Sequence, residues 1–365
     1  MDDLAQRAQR MRAWLFDEAL PFWAANGLNP CGGFQESLDA DLRAPATTRF
    51  RVHARQTYVF AEAGRLGWQG PWREIVGHGL AFLIHRARRD DGLVAATFDT
   101  SGAMVDGEAN LYDQAFALLG FAHAYAVLGD PGALQAARTV LAVLEPYTHP
   151  LGGFRQLSGP ELKSNPQMHL LEAALAWAEI DDDSAWRRLA DDQAALCRSR
   201  LVDAGSAVLR EHFIGDWRPA PAPHGDLTEP GHHYEWAWLL KRANAGGDLS
   251  LRLAERAERF GVDRSTGATI NTFDADGSPR DGEARLWPQT ERLKAALSLR
   301  GEDPELWTAR ACEAFDALFA YIAPAPSGLW YDLMEQGGAV RPEAAPASSL
   351  YHIVAAASEL IRAVE

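Results

Sequence analysis

Six times along its 365 residues the chain writes the same phrase: a helix start loaded with polar or aromatic side chains, then an apolar run at helical spacing. The six are "RFRVHARQTYVFAEAGRL", "NLYDQAFALLGFAHAY", "SNPQMHLLEAALAWAE", "EPGHHYEWAWLLKRA", "LWPQTERLKAALSL" and "SSLYHIVAAASELIRAV". One early residue from each, Arg55, Tyr112, His169, His232, Trp287 and His352, gives intervals of 57, 57, 63, 55 and 65. A sixth of the chain is about 61 residues, so the spacing is a loose internal repeat, the signature of stacked supersecondary units. Local signals agree. Pro230 suits a first helical position, where its missing N–H has no partner to lose, and Asn165 reads as a cap before Pro166.

Between these segments lie a second set of helical patterns, more charged on one side, over residues 3–24, 72–88, 131–145, 184–201, 247–260 and 303–322. Asp130-Pro131 and Asp303-Pro304 open two of them as cap and first position. Gly-rich stretches such as "CGGFQESLD", "LGGFRQL" and "STGATINTFDADG" join one set to the other and read as turns or small hairpins rather than a sheet. No βαβ alternation and no GxGxxG occur, which sets aside a dinucleotide fold.

Six outer-helix, loop, inner-helix units bury their apolar faces only against neighbours, and a closed ring leaves no exposed end. The expectation is one all-α domain over residues 1–365, an (α/α)6 barrel. An open solenoid needs polar capping repeats, and the first and last helices are as apolar as the rest. Parallel inner helices bring their N-terminal turns to one mouth. Arg55, Tyr112, Asp113, Asn165, His169, His232, Glu235, Trp287, Gln289, Glu291 and His352 are therefore expected to line one pocket.

A net charge of −15 argues against nucleic acid or an anionic membrane as partner, since both need basic patches. Cys31, Cys197 and Cys312 are odd in number and widely spaced, suggesting neither a disulfide framework nor a thiolate zinc site. No stretch approaches the ~20 apolar residues of a membrane span. The charged, amphipathic N-terminus is unlike a signal peptide, so a cytoplasmic protein is the default expectation.

At "HARQTYVFAEA", "NPQMHLLEA", "EPGHHYEWAWLL", "LWPQTERLKAA" and "SSLYHIVAA" the chain resembles the N-acylglucosamine 2-epimerase family, over nearly its whole length. That family includes mannose isomerase, sulfoquinovose isomerase and cellobiose 2-epimerase. The resemblance implies the (α/α)6 barrel, a monosaccharide as small-molecule substrate, and aldose–ketose isomerisation or inversion at carbon 2 without metal or nicotinamide. Dimers are common among such barrels, so a monomer or homodimer is expected. By motif position His232 and His352 match the catalytic histidines, and Arg55, Asn165, His169, Glu235 and Trp287 match sugar-binding or supporting positions. Tyr112 and Gln289 are counted with the sugar-binding set. Two departures stand out. Leu286-Trp287 replaces the doubled tryptophan, and the stretch before His232 lacks a clear match for an arginine of the sulfoquinovose enzyme.

Moving a carbonyl between C1 and C2 needs a proton taken from carbon and returned, and imidazoles titrating near neutrality suit both halves. His232 and His352 are expected to divide these tasks, with Glu235 holding His232. Trp287 and Tyr112 are candidate stacking platforms, and Arg55 a stabiliser of enediolate oxygen. His232, Glu235, His169 and His352 also form a lesser metal-site candidate. Glycoside hydrolysis through Asp113, Glu235 or Glu291 is the rival chemistry on this fold. A non-catalytic sugar sensor is a third reading, and the fold does not separate it from the others. With no excess of basic residues expected at the mouth, an unmodified hexose is favoured, D-mannose with D-fructose; a 2-epimerase of a free or N-acylated aldose is the nearest alternative.

Overall fold

The computed structural model describes residues 2–30 and 32–365; Met1 and Cys31 lie outside the described residues, while Cys197 and Cys312 carry free thiols. Six inner helices alternate with six outer ones. The outer ring begins with α1 (Asp2–Trp14), which runs through a wider turn at Leu15–Ala19 into α2 (Leu20–Asn26). Then α3 (Phe50–Arg65, inner) precedes α4 (Trp72–His85, outer), and α5 (Leu111–Leu128, inner) precedes α6 (Pro131–Leu144, outer). The alternation continues with α7 (Ser164–Ala178), α8 (Ser184–Leu196), α9 (Pro230–Arg242), α10 (Leu249–Phe260), α11 (Trp287–Ser298), α12 (Pro304–Ile322) and finally the inner α13 (Ala347–Arg362). Each inner helix packs on the next, and α13 returns to α3, closing the ring. This is the (α/α)6 barrel expected from the repeat.

The inner helices are buried nearly all round, because they face both the axis and the outer layer. Outer helices keep one wet face. Trp177 of α7 shows how the layers lock: its ring stacks on Trp186 of α8 at 5.0 Å, and its Nε1 donates to the Leu118 carbonyl of α5 at 2.9 Å. The expected Asp-Pro caps form, with Asp130 accepting from Gly132 N at 2.8 Å and Asp303 from Leu306 N at 3.0 Å.

The loops go further than isolated hairpins. Thr47–Arg49 pairs with Thr97–Asp99 of the next unit, which pairs with Met104–Asp106; Glu161–Lys163, His212–Ile214 and Arg218–Pro219 repeat the arrangement. Ser37–Leu38 pairs with Ala345–Pro346, so the first unit's loop is stitched to the last. These short antiparallel sheets roof one mouth of the barrel. No helix among the described residues is long and apolar enough to cross a membrane.

Candidate active site

The roof is fastened to the barrel by one device used five times. His53 of α3 accepts from Phe34 N (2.9 Å), Gln114 of α5 from Val94 N (2.8 Å), and Gln167 of α7 from Phe154 N (3.0 Å). His233 of α9 accepts from Leu209 N (3.2 Å) and Gln289 of α11 from Thr269 N (2.8 Å). Each accepting side chain sits in the first turn of its helix, and each donor closes a two-residue β-bridge in its own loop. The fit is tight at Gly33, where φ is +79° and an added Cβ would stand 2.5 Å from the His53 ring.

This series corrects one expectation. Gln289 does not reach the pocket: its carboxamide also donates to the carbonyls of Thr269 and Arg285, both at 2.9 Å, and it is fully buried. It is a loop fastener. His53 and His233 belong to the same class.

Side chains two residues before or after these fasteners point instead to the barrel axis. They enclose a cavity of ≈ 290 Å³ whose wall includes Arg55, Tyr112, Asn165, Trp287, Ser348 and His352. That is near the lower end of the roughly 300–1,000 Å³ of small-molecule sites. Arg55 Nη2 donates to the Tyr112 hydroxyl at 2.8 Å, and its guanidinium lies over the Phe116 ring. Asn165, expected as a cap, is the second residue of α7, and its Oδ1 has no protein partner. The residue lines the cavity, with Oδ1 itself buried and unbonded.

The mouth is more basic than expected. Arg49, Arg51 and Arg285 join Arg55 around the cavity, against a single lining carboxylate, Glu229. Arg49 pairs with Glu36, Arg51 with Asp113 at 3.0 Å, and Arg285 with Asp332 at 3.0 Å. In each case Nε and Nη2 meet the carboxylate, and Nη1 makes no hydrogen bond to any described residue. Three guanidiniums are thus held from behind with a free edge left over.

His232 and His352 both pack on the Trp287 ring, at centroid distances of 5.1 and 5.7 Å. His352 lines the cavity directly, whereas His232 stands beside Trp287 and Glu229 at its wall. Nδ1 of each ring meets a carboxylate, and Nε2 of each is unbonded but not sealed from solvent. The partner of His232 is Glu211, at 3.0 Å, and not the expected Glu235. Glu211 lies in the loop before α9 and is itself held by the Ser164 hydroxyl at 2.7 Å. Glu235 projects instead to the axis, 3.9 Å from His169 Nδ1 and close to Glu291 and His352.

The surroundings drive the two imidazoles apart. Burial works to lower the His232 pKa, but Glu211 and Glu229 outweigh it and hold the ring well above the ordinary histidine value. His352 is pushed well below that value by burial, with Arg55 and Lys294 acting in the same direction. His169 falls to about 4, chiefly through burial, although its Nδ1 meets Glu172 at 3.0 Å. Burial and the Glu291 charge raise Glu235 well above the carboxylate range, favouring its protonated form. With Glu235 neutral, Arg55 and Lys294 balance Glu172 and Glu291.

Among the described residues, three groups of histidine and carboxylate atoms converge closely enough to be tested as metal sites: His169/Glu172/Glu235, Glu211/Glu229/His232 and Glu235/Glu291/His352. The first is tied internally by His169 and by Tyr351, whose hydroxyl donates to Glu172. In the third, the Lys294 ammonium already sits 2.6 Å from Glu291. In these two groups the donors already serve one another; in the second, His232 Nδ1 stands 3.0 Å from Glu211 and 3.8 Å from Glu229. A further polar hollow opens at the opposite mouth around Glu62, His123 and Arg362, and Glu172, bonded to His169 and Tyr351, lines it.

Comparison with known proteins adds the lineage. The sequence model of the N-acylglucosamine 2-epimerase family (GlcNAc 2-epimerase) matches residues 32–356. The chain belongs to that family. Family members are carbohydrate isomerases and epimerases, and this chain is an enzyme of that kind. It is 40% identical over 379 aligned residues (98% of this chain, 97% of the relative) to a protein named Mannose-6-phosphate isomerase from Rhizobium meliloti strain 1021. It is 29% identical to a D-mannose isomerase of Thermobifida fusca, covering 79% of this chain and 78% of that one. Among solved structures, the cellobiose 2-epimerase of Spirochaeta thermophila DSM 6192 superposes with a TM-score of 0.86 at 23% identity, covering 99% and 97% of the two chains. At that identity the superposition speaks for the fold.

The candidates Arg55, Tyr112, Asn165, Trp287 and His352 meet at the cavity, with His232 against Trp287 at its wall and His169 and Glu235 packed behind it. Arg49, Arg51, Glu211, Glu229, Arg285 and Lys294 were not among the expected site residues. Arg51 and Lys294 had a signal: they stand one helical turn from Arg55 and Glu291. Glu211 had none, being brought in by a hairpin.

Proposed function

We propose that this chain is an aldose–ketose isomerase acting on a mannose-configured hexose. The single observation that carries the reading is the pair of imidazoles at one cavity wall, each on its own carboxylate and biased to opposite proton states. Such pairs of environments divide acid from base. His352, neutral with Nδ1 on Glu291, is the base: Nε2 takes the proton from C2 of the open-chain aldose and returns it at C1. His232, an imidazolium, is the acid: it protonates the ring oxygen for opening and then serves the oxygen atoms of the enediol. Arg55 supplies positive charge to enediolate oxygen, and Tyr112, Asn165 and Trp287 position the sugar. Reprotonation at C2 from the opposite face, by a second donor or after the enediol has turned over, would instead give the 2-epimer.

The Nη1 groups left over on Arg49, Arg51 and Arg285 favour an anionic group on the sugar, and a phosphate ester at C6 can accept from them. The name of the 40%-identical relative supports that choice. The second reading, free D-mannose with D-fructose, rests on the carboxylate behind each of these arginines, which offsets its charge, and on the D-mannose isomerases among the relatives. Hydrolysis is the weaker chemistry here, because Asp113 is committed to Arg51 and Asn110, and Glu291 to His352 and Lys294.

The test is incubation in deuterium oxide with mannose 6-phosphate, D-mannose, N-acetylglucosamine and cellobiose, followed by product chromatography and NMR. The expected product is fructose 6-phosphate, with deuterium at C1 to the extent that the proton held on His352 exchanges with solvent before its return. Deuterium at C2 of an epimeric aldose would make the enzyme a 2-epimerase. Neither conversion nor exchange with any of them would overturn the reading.

A further inference from the structure

The side chain that sets His352 apart is a lysine at the centre of the barrel. Lys294 of α11 is wholly inaccessible to solvent, and its Nζ lies 3.8 Å from the centroid of the Trp238 ring. A buried ammonium is costly unless it meets a counter-charge. Lys294 has one: Nζ is 2.6 Å from Glu291 Oε2, while the other oxygen, Oε1, accepts from His352 Nδ1 at 2.8 Å. Lysine, carboxylate and imidazole form one line ending at the cavity. Glu291 and Lys294 are one turn apart on the same helix, so the line is built into α11 rather than assembled from mobile parts.

We infer that Lys294 is a positioning residue, which through Glu291 fixes the orientation of His352 and keeps it a neutral base. The inference rests on the proposed isomerase reading for its kinetic consequence, but its proton-state consequence can be observed without any substrate. The comparison with His232 shows why the lysine matters. Glu211 has a serine hydroxyl behind it where Glu291 has an ammonium, so the negative charge next to His232 is left to attract a proton. An imidazole beside an uncompensated carboxylate charges readily; beside a compensated one it does not.

The groups facing His352 come from every packed element. They are Arg55 of α3, His169 and Glu172 of α7, Glu235 of α9, Glu291 and Lys294 of α11, and the neighbouring Tyr351. Burial opposes the charge on Lys294, but the carboxylates around it, Glu291 foremost, hold its pKa above the usual lysine value. Removing that cation leaves the cluster one positive charge short. Glu291, raised by burial and held down by Lys294, and His352 beyond it are the bases that can make it good, and the histidine titration tells which of them does.

The experiment compares wild type, Lys294→Met, Glu291→Gln and the double variant. In Lys294→Met the acid limb of kcat/KM should move up by about one pH unit or more, with KM changed less than kcat. NMR titration of histidine-labelled protein should show His352 titrating higher by a similar amount. The double variant removes the buried pair as a unit, so it stays foldable if the single one does not. Its kcat should match that of Glu291→Gln within about threefold, because residues acting as one unit do not lose activity additively. A folded Lys294→Met with the acid limb and the His352 titration unmoved would overturn the inference. So would losses that multiply in the double variant, the mark of a merely structural lysine. Failure of wild type to turn over any sugar would remove the isomerase reading but leave the NMR titration to decide the role of Lys294.

Discussion

His232 and His352 are the same side chain, each buried at one cavity wall, each with Nδ1 on a glutamate, yet their surroundings drive them to opposite charge. Around His232 the carboxylates of Glu211 and Glu229 have little to offset them, and Glu229 is itself pushed up by burial, opposed by His232. Around His352 the single carboxylate partner is answered by Lys294, and Arg55 adds a further positive charge. The lesson is that a histidine–carboxylate contact does not by itself fix the proton state. What stands behind the carboxylate decides.

The largest expected effect breaks the pair outright. His352→Ala and His232→Ala should each lower kcat by about a thousandfold or more, at the upper part of the range for general acid–base groups, with the circular dichroism spectrum unchanged. Near-wild-type turnover in either would remove that residue from the mechanism. The pH profile sharpens the contrast. The base must be neutral and the acid protonated, so the depressed His352 pKa puts the acid limb below ~6.5 and the raised His232 pKa puts the alkaline limb above it. Glu211→Gln takes away the charge that holds the His232 proton. The alkaline limb should then fall by about one unit or more, with kcat on that limb down about tenfold for each pH unit it moves. An unmoved limb would show that Glu211 only packs.

A smaller effect separates charge at the rim from charge at the chemistry. Arg49→Ala combined with Arg285→Ala should raise KM for mannose 6-phosphate about tenfold or more and leave turnover of free mannose close to wild type. Equal effects on both sugars would favour the free hexose as natural substrate. The smallest effect belongs to the fasteners. Gln289→Ala should leave KM unchanged but cost about 1–3 kcal/mol of stability in denaturant titration, since the Thr269 N–H loses its acceptor inside the protein. A raised KM at full stability would return Gln289 to the pocket.

How much of this was legible follows from which interactions are local. Helix order and caps could be read because apolar periodicity and Asp-Pro, Asn and Pro starts act within a turn. The axis-facing set was read with some slippage: Tyr112, His232 and Trp287 were aligned with Arg55, although the structurally equivalent positions are Phe116, Glu235 and Glu291, two residues after each fastener. One residue is about 100° of helix, so a loose register brings a loop-facing Gln289 into an expected pocket. Glu211 was out of reach for a different reason. It lies 21 positions before His232 in a loop, and the pairing of Glu161–Lys163 with His212–Ile214 brings it beside Ser164. The arginine rim was missed because Arg49 and Arg285 precede their helices, where helical spacing has no say.

The most direct test of the opposed proton states is the nitrogen-15 NMR spectrum of histidine-labelled wild-type protein at pH 7, with the two rings assigned from His232→Gln and His352→Gln. His232 is predicted to show two protonated ring nitrogens, and His352 one, with Nδ1 bearing the proton and Nε2 bare. Both rings in the same state, or the reverse assignment, would contradict the division of acid and base on which the mechanism stands.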